Sequence, residues 1–171
     1  MNSVEQHRRE APSSVNCFIV TVSDTRTPET DKGGQLAETL LVEAGYTVAG
    51  REIVKDDYDE IRELLYKCTA DDQIEAVVLT GGTGISPRDC TYEAVESLLD
   101  KELPGFGEIF RYLSYAEDIG TAAILSRAIA GTIGRTAVFS VPGSVGAVKL
   151  AVTRLIAPEL KHVMRELYKA N

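Results

Sequence analysis

The chain is poor in the residues that build metal centres and disulfide scaffolds. Its 171 residues include three cysteines and two histidines. Cys17, Cys68 and Cys90 show no CxxC spacing, and His7 and His162 are far apart, so neither a zinc site nor a disulfide framework is expected. Long hydrophobic runs are missing: no segment approaches the roughly 20 apolar residues that cross a bilayer. The opening residues, MNSVEQHRREAPSS, lack the apolar stretch of a secretory signal, and a cytoplasmic protein is expected. Basic residues are outnumbered, 18 to 26, which leaves a net charge of −8. A general nucleic-acid binder carries a basic face, so that class is disfavoured. Neither the GxxxxGK[ST] phosphate loop nor the GxGxxG dinucleotide fingerprint occurs. Internal repeats and low-complexity tracts are absent as well.

What remains is an ordinary globular composition, 44% hydrophobic and 26% charged. A polar tail, residues 1–14, precedes one domain, residues 15–171, long enough for a substantial core. Strand-like and helix-like segments alternate. CFIVTV at 17–22 reads as a buried strand. Gly34 to Ala44 is helical and Gly45 stops it. Tyr46 to Val54 reads as a second strand. Asp57 or Asp59 caps a helix over 60–68, where Ile61, Leu64 and Leu65 form the apolar stripe. Ala76 to Thr80 is a third strand and Thr91 to Leu99 a helix. Leu103 to Phe106 marks a turn before a helix over 107–115. The small apolar stretch 120–128 leans to helix, and Thr136 to Val141 is another buried strand. Helices over 145–156 and 158–168 close the chain, with a break near Pro158. This order implies an α/β fold of three layers, αβα, around a mostly parallel sheet.

Ligands bind such folds at the carboxyl ends of the strands. Each strand here ends in polar residues or glycine: Ser23-Asp24, Lys55-Asp56, Thr80-Gly81-Gly82 and Pro142-Gly143-Ser144. Residues 77–92, VVLTGGTGISPRDCTY, carry the clearest signal. A buried strand opens into Gly81-Gly82-Thr83-Gly84 and leads on to a helix. Glycine lets the turn adopt positive φ and lets a ligand approach the backbone, which suits a phosphate. Arg88 could fork onto phosphate oxygens. Asp89 beside an anion makes sense if it holds a cation or orients a reacting group.

The other candidates each have a plain reading beside the functional one. The GGTG turn could be structural, and Arg88 and Asp89 a local ion pair. Asp57 suits a helix cap, whereas Asp56 is placed to face a ligand. If Asp56 and Asp89 meet across strand ends, they form a carboxylate pair suited to Mg²⁺. Ser23 and Asp24 either cap or bind. Ser126 and Arg127 could sit on the surface, but an arginine flanked by small residues points to a cleft or an interface. Ser144 is a natural helix cap, and the helix start behind Pro142 and Gly143 could hold an anion. Cys17 and Cys68 read as core thiols, and Cys90 is the thiol to test for reactivity. Tyr112 and Tyr115 read as packing or oligomer contacts, His162 as surface and Met164 as core.

Taken together, these stretches resemble the molybdopterin-binding (MoaB/MogA-like) family of molybdenum cofactor biosynthesis. The matches are VSDTR at 22–26, DKGG at 31–34, VKDD at 54–57, TGGTGISPRD at 80–89, LPGFGEIFR at 103–111, AILSRAIAG at 123–131 and VPGSVGAV at 141–148. Their order is specific, though each alone is weak. The resemblance implies a homo-oligomer, trimer or hexamer. It also implies an enzyme: the terminal phosphate of molybdopterin attacks the α-phosphate of Mg-ATP, giving adenylyl-molybdopterin and pyrophosphate for hand-over to a molybdenum insertase. Asp56 and Asp89 match the family's functional aspartates, implied to serve Mg²⁺ and the reaction geometry. Thr80, Gly81, Gly82, Thr83, Gly84 and Arg88 match its nucleotide or pterin phosphate turn, and Ser23 and Asp24 its first strand end. Ser126, Arg127, Pro142, Gly143 and Ser144 match its outer rim.

PGSVG differs from the PGN or PGQ of the adenylyltransferase branch and resembles the B-type branch, which includes active and non-catalytic members. The retained Arg88-Asp89 favours activity. Two alternatives stand beside the enzyme: a non-catalytic holder of molybdopterin or of a partner protein, and an unrelated nucleotide-binding α/β protein with no pterin affinity.

Overall fold

A computed structural model describes residues 3–5 and 13–169; most of the expected tail, His7 included, lies outside them. The sheet has six strands: β1 (Asn16–Val22), β2 (Thr47–Val54), β3 (Ala76–Thr80), β4 (Lys101–Glu102), β5 (Ile129–Ile133) and β6 (Thr136–Val141). Their spatial order is β2-β1-β3-β6-β5-β4. Pairings among β2, β1, β3 and β6 are parallel; β5 pairs antiparallel with β6 and with β4.

The helices are α1 (Lys32–Glu43), α2 (Tyr58–Ala70), α3 (Thr91–Glu96), α4 (Pro104–Glu117), α5 (Val145–Ala151) and α6 (Ala157–Leu167). The central strands are buried on both faces, which is why they read as unbroken apolar runs. Alternation sends Ile19 to one face and Val20 to the other. Ile19 packs with Leu41, Phe110, Ile156, Leu160 and Met164. Val20 packs with Ile61, Leu65, Leu79 and Val95. Two cores on one sheet give the expected three-layer αβα fold. Each large apolar side chain so buried contributes about 1.5–3 kcal/mol.

Several boundaries differ from the sequence reading. Helix α1 begins at Lys32, because Asp31 caps it by accepting from the Gly34 N–H at 2.9 Å. Pro104 starts α4 instead of belonging to a turn: proline suits a first helical position, where no N–H partner is needed. Residues 120–125 form a 3₁₀ helix, and the chain is extended by Ser126. The strand β5 is not among the expected elements; it makes a hairpin with β6 through Gly134, whose φ is +56°. The expected break near Pro158 is a wide turn over Val152–Ile156, closed by the Ala157 N–H donating back to the Val152 carbonyl. That extra residue lets the helix run on without the hydrogen bond a proline would remove. Tyr112 and Tyr115 do not pack; both are exposed, with Ile109, Ile119 and Ile124. Cys17, Cys68 and Met164 are buried as expected.

Candidate functional site

The parallel order brings the ends of β1, β3 and β6 side by side, and a cleft of about 470 Å³ opens above them. Thr21, Ser23, Thr80 and Gly81 line its floor. Asp31, Lys32 and Gly33 close it from the start of α1, and Gly143 and Ser144 from the start of α5. Ser144 caps α5 as expected, its Oγ accepting from the Ala147 N–H at 3.2 Å. Two helix N-termini therefore face one polar cleft, and each favours negative charge.

The turn after β3 carries further donors; Gly81 and Gly82 line this cleft, and Ile85 lines a second depression. Gly81 and Gly82 have φ of +98° and +68°. A Cβ on Gly81 would lie 2.3 Å from the Val22 carbonyl oxygen, and one on Gly82 would lie 2.1 Å from Thr91 Oγ1. Only glycine fits either place. The carbonyls of the turn are tied back into the protein. Gly82 O accepts from the Thr91 N–H at 3.1 Å and Thr83 O from the Arg127 N–H at 3.1 Å. Gly84 O accepts from Arg127 Nε at 2.8 Å. Among the described residues, no acceptor takes the N–H of Gly82, Thr83, Gly84 or Ile85. A row of unpaired amides in a positive-φ turn is an anion nest. Thr80 adds a hydroxyl: the residue is 1% exposed, lines the cleft, and its Oγ1 has no hydrogen-bond partner among the described residues.

The remaining sequence candidates sit around this turn. Asp56 is buried, and its Oδ1 accepts from both the N–H and the Sγ of Cys90, each at 3.1 Å. Its carboxylate lies against Gly82: both oxygens fall within 3.1 Å of the place a Cβ there would take. Asp89 Oδ2 accepts from the Ser86 N–H at 2.9 Å and lies against Gly84. The two aspartates thus flank one loop. Asp89 faces a second depression of about 480 Å³, with Tyr58, Ile85, Cys90, Glu93 and Arg127. Asp57 caps α2 by accepting from the N–H groups of Asp59 and Glu60.

Arg88 is held by Asp24 in a bidentate pair and does not line the cleft. That pair keeps the Asp24 carboxyl low, at about 2, and raises the Arg88 guanidinium. Arg127 donates to Gly84 O, to Asp89 O at 3.3 Å and to Glu93, and stacks over Tyr92. It holds the loop from behind. Ser126 Oγ is buried without a hydrogen-bond partner among the described residues. The Ser23 hydroxyl caps its own turn, accepting from the N–H groups of Thr25 and Arg26. Burial, and next the Asp56 carboxylate, push the Cys90 thiol up to about 12, so it is a neutral donor and a poor nucleophile.

Sequence reasoning gave no role to three residues of the cleft, although the matched stretches 22–26 and 31–34 contain them. Asp31 is buried, accepts from Thr21 Oγ1 at 2.7 Å and pairs with Arg51 at 3.4 Å. Arg26 and Lys32 line the mouth. The signal for Asp31 was the aspartate directly before a helix start; Arg26 sits in a turn-rich loop and Lys32 on the first residue of α1, where a lone charge carries no pattern.

A polar cleft over the carboxyl ends of parallel strands is where doubly wound α/β proteins hold their ligands. The family model described as "Probable molybdopterin binding domain" matches residues 18–162, and the chain belongs to that family. It is 61% identical over 167 residues to molybdenum cofactor biosynthesis protein B of Halalkalibacterium halodurans, covering 98% of each chain. To the Bacillus subtilis protein of the same name it is 59% identical, again over 98% of each chain. A crystal structure of a molybdenum cofactor biosynthesis protein B superposes with a TM-score of 0.91 at 57% identity, covering 94% of this chain and 99% of that one.

Proposed function

We propose that this protein acts in molybdenum cofactor biosynthesis as a molybdopterin adenylyltransferase. The observation that carries the reading is the row of unpaired amides from Gly82 to Ile85, set beside the helix starts at Asp31 and Ser144. That seat suits a phosphoanion, and both substrates of adenylyl transfer bring one. An oxygen of the terminal phosphate of molybdopterin attacks the α-phosphorus of ATP. The new P–O bond forms as the bond from the α-phosphorus to the bridging oxygen breaks, and pyrophosphate leaves. Such a reaction depends on positioning and charge neutralisation. The fixed amides and the Thr80 hydroxyl orient phosphate oxygens, and the bonds from Thr91 and Arg127 to its carbonyls fix the turn.

The donor set fits Mg²⁺. Asp56 and Asp89 offer hard carboxylate oxygens, and among the described residues no donor reaches Asp56 Oδ2 or Asp89 Oδ1. No group of three or more metal-ligating side chains occurs among the described residues, so phosphate oxygens and water would complete the shell. When bound, the ion neutralises developing charge on the phosphates. The exposed large apolar side chains Ile109, Tyr112, Tyr115, Ile119 and Ile124 support assembly into a homo-oligomer. The product would pass to a separate molybdenum insertase.

A second reading, a non-catalytic molybdopterin holder, draws on one observation: Arg88 and Arg127 are both engaged by protein acceptors and not turned to the cleft. Pyrophosphate release from ATP and Mg²⁺, measured with and without molybdopterin, separates the two. The enzyme predicts release that requires the pterin; pterin binding without release moves the protein to the second reading.

A further inference from the structure

Two cations at the mouth of the cleft have no carboxylate partner among the described residues. The Lys32 ammonium makes no hydrogen bond or ion pair with any described residue. The one contact of the Arg26 guanidinium is a 3.4 Å hydrogen bond to the Thr30 carbonyl, with no carboxylate beside it. Arg51, the next arginine along this wall, differs: Asp31 and Glu38 neutralise it. In a chain of net charge −8, unpaired cations facing a cleft are conspicuous.

Lys32 is also badly placed for stability. It is the first residue of α1, and the first turn of that helix carries no acidic residue. A cation at a helix N-terminus opposes the macrodipole, where an anion would be favoured. The one anion at this helix start, the capping Asp31, is already engaged by Gly34, Thr21 and Arg51, which leaves Lys32 for an anion from outside. Thr80, buried yet with an unpartnered hydroxyl in the same cleft, points the same way. Arg26 stands at the junction with a neighbouring groove of about 460 Å³, which it lines together with Asp31 and Arg51. The space is larger than one phosphate needs.

We propose that Arg26 and Lys32 form the subsite for the pyrophosphate end of a nucleoside triphosphate. This rests on the adenylyl-transfer reading and names residues for its leaving group. The fixed amides of residues 82–85 suit the phosphate that must be held still. The leaving group carries more charge and must escape. Exposed, flexible cations at the mouth give it neutralisation without trapping it.

The test is calorimetric binding of inorganic pyrophosphate, and of inorganic phosphate, to the full-length protein. Wild type binds pyrophosphate. Arg26→Ala and Lys32→Gln each weaken it by about tenfold, the scale of one charge-assisted contact. Arg26→Lys keeps most of the affinity, and inorganic phosphate binding changes little in all variants. Lys32→Gln also raises Tm, which a residue needed for the fold would not do. Wild-type protein that ignores pyrophosphate, variants that bind it normally, or equal losses for phosphate and pyrophosphate overturn the assignment. Because the readout is binding, it stands apart from turnover. Pyrophosphate bound through Arg26 and Lys32 by a protein without pterin-dependent release removes the reaction and keeps the anion subsite.

Discussion

Asp24 and Arg88 lie 64 residues apart and form a bidentate pair, Nε to Oδ2 at 2.8 Å and Nη2 to Oδ1 at 2.9 Å. The same Asp24 Oδ1 accepts from the Asp56 N–H at 3.1 Å. One carboxylate thus joins the end of β1, the loop that carries Asp56 and the loop after the glycine turn. The Asp24 carboxyl is held down at about 2 from an ordinary 3.8, first by the Arg88 hydrogen bond. A depressed carboxyl contributes above its ordinary value, and the contribution disappears as pH falls through the folded value. The pair should therefore stay intact at pH 4 and open toward pH 2. In a carboxyl NMR titration, Asp24 should have its midpoint near 2 in wild type and move back toward the ordinary range in Arg88→Ala. An unmoved midpoint would show that Arg88 does not hold it.

The glycine turn gives a graded prediction. Gly81→Ala combines a positive φ with a Cβ 2.3 Å from a backbone oxygen. It should cost about 3 kcal/mol or more in urea unfolding. Gly45→Ala keeps the positive φ but meets nothing within 4 Å, so it should cost only the backbone term, about 1–2 kcal/mol. Equal costs at the two sites would mean that the approach of Val22 to Gly81 is not as tight as described.

Much of this architecture could be read from the chain. β1, β3 and β6 are buried on both faces, so their residues had to be continuously apolar. Asp57, Ser144 and Gly45 fill cap positions whose chemistry is local. β5 was hidden because IAGTI holds a small residue and a glycine where a strand usually shows bulk; its pairing with β6 places it. The start of α1 was masked by Gly33 and Gly34, which weaken any helix pattern. At the site, the glycine turn was legible as a local motif. The partners of Arg88 and Arg127 were not, because pairings such as Asp24–Arg88 exist only once distant strand ends meet.

The thiols should be silent in the native protein. Burial raises Cys17 to about 12 and Cys68 to about 11, and Cys90 stands at about 12. A disulfide reagent at about pH 8 should label none of them quickly and all three after denaturation. Rapid native labelling of Cys90 would contradict its role as a neutral donor to Asp56.

Arg127 braces the loop. Removing it strips a donor from the carbonyls of Gly84 and Asp89, and unpaired groups of this kind cost about 1–3 kcal/mol. Arg127→Ala should speed hydrogen exchange at Ser86 and Asp89, both bonded within the loop. Arg127→Lys should recover little, since one ammonium cannot span both carbonyls and Glu93. Unchanged exchange in Arg127→Ala would show that the loop holds its own shape.

The central claim is that the cleft beside the Gly81–Gly84 turn transfers an adenylyl group and that Asp56 serves the transfer. Single-turnover reaction with ATP labelled at the α-phosphate tests it most directly. Wild type should move the label onto molybdopterin, one for each pyrophosphate released. Asp56→Asn, which keeps the shape and loses the charge, should bind the pterin and transfer the label at least about a hundredfold more slowly. Label that never reaches the pterin in wild type, or transfer by Asp56→Asn at the wild-type rate, would contradict the account.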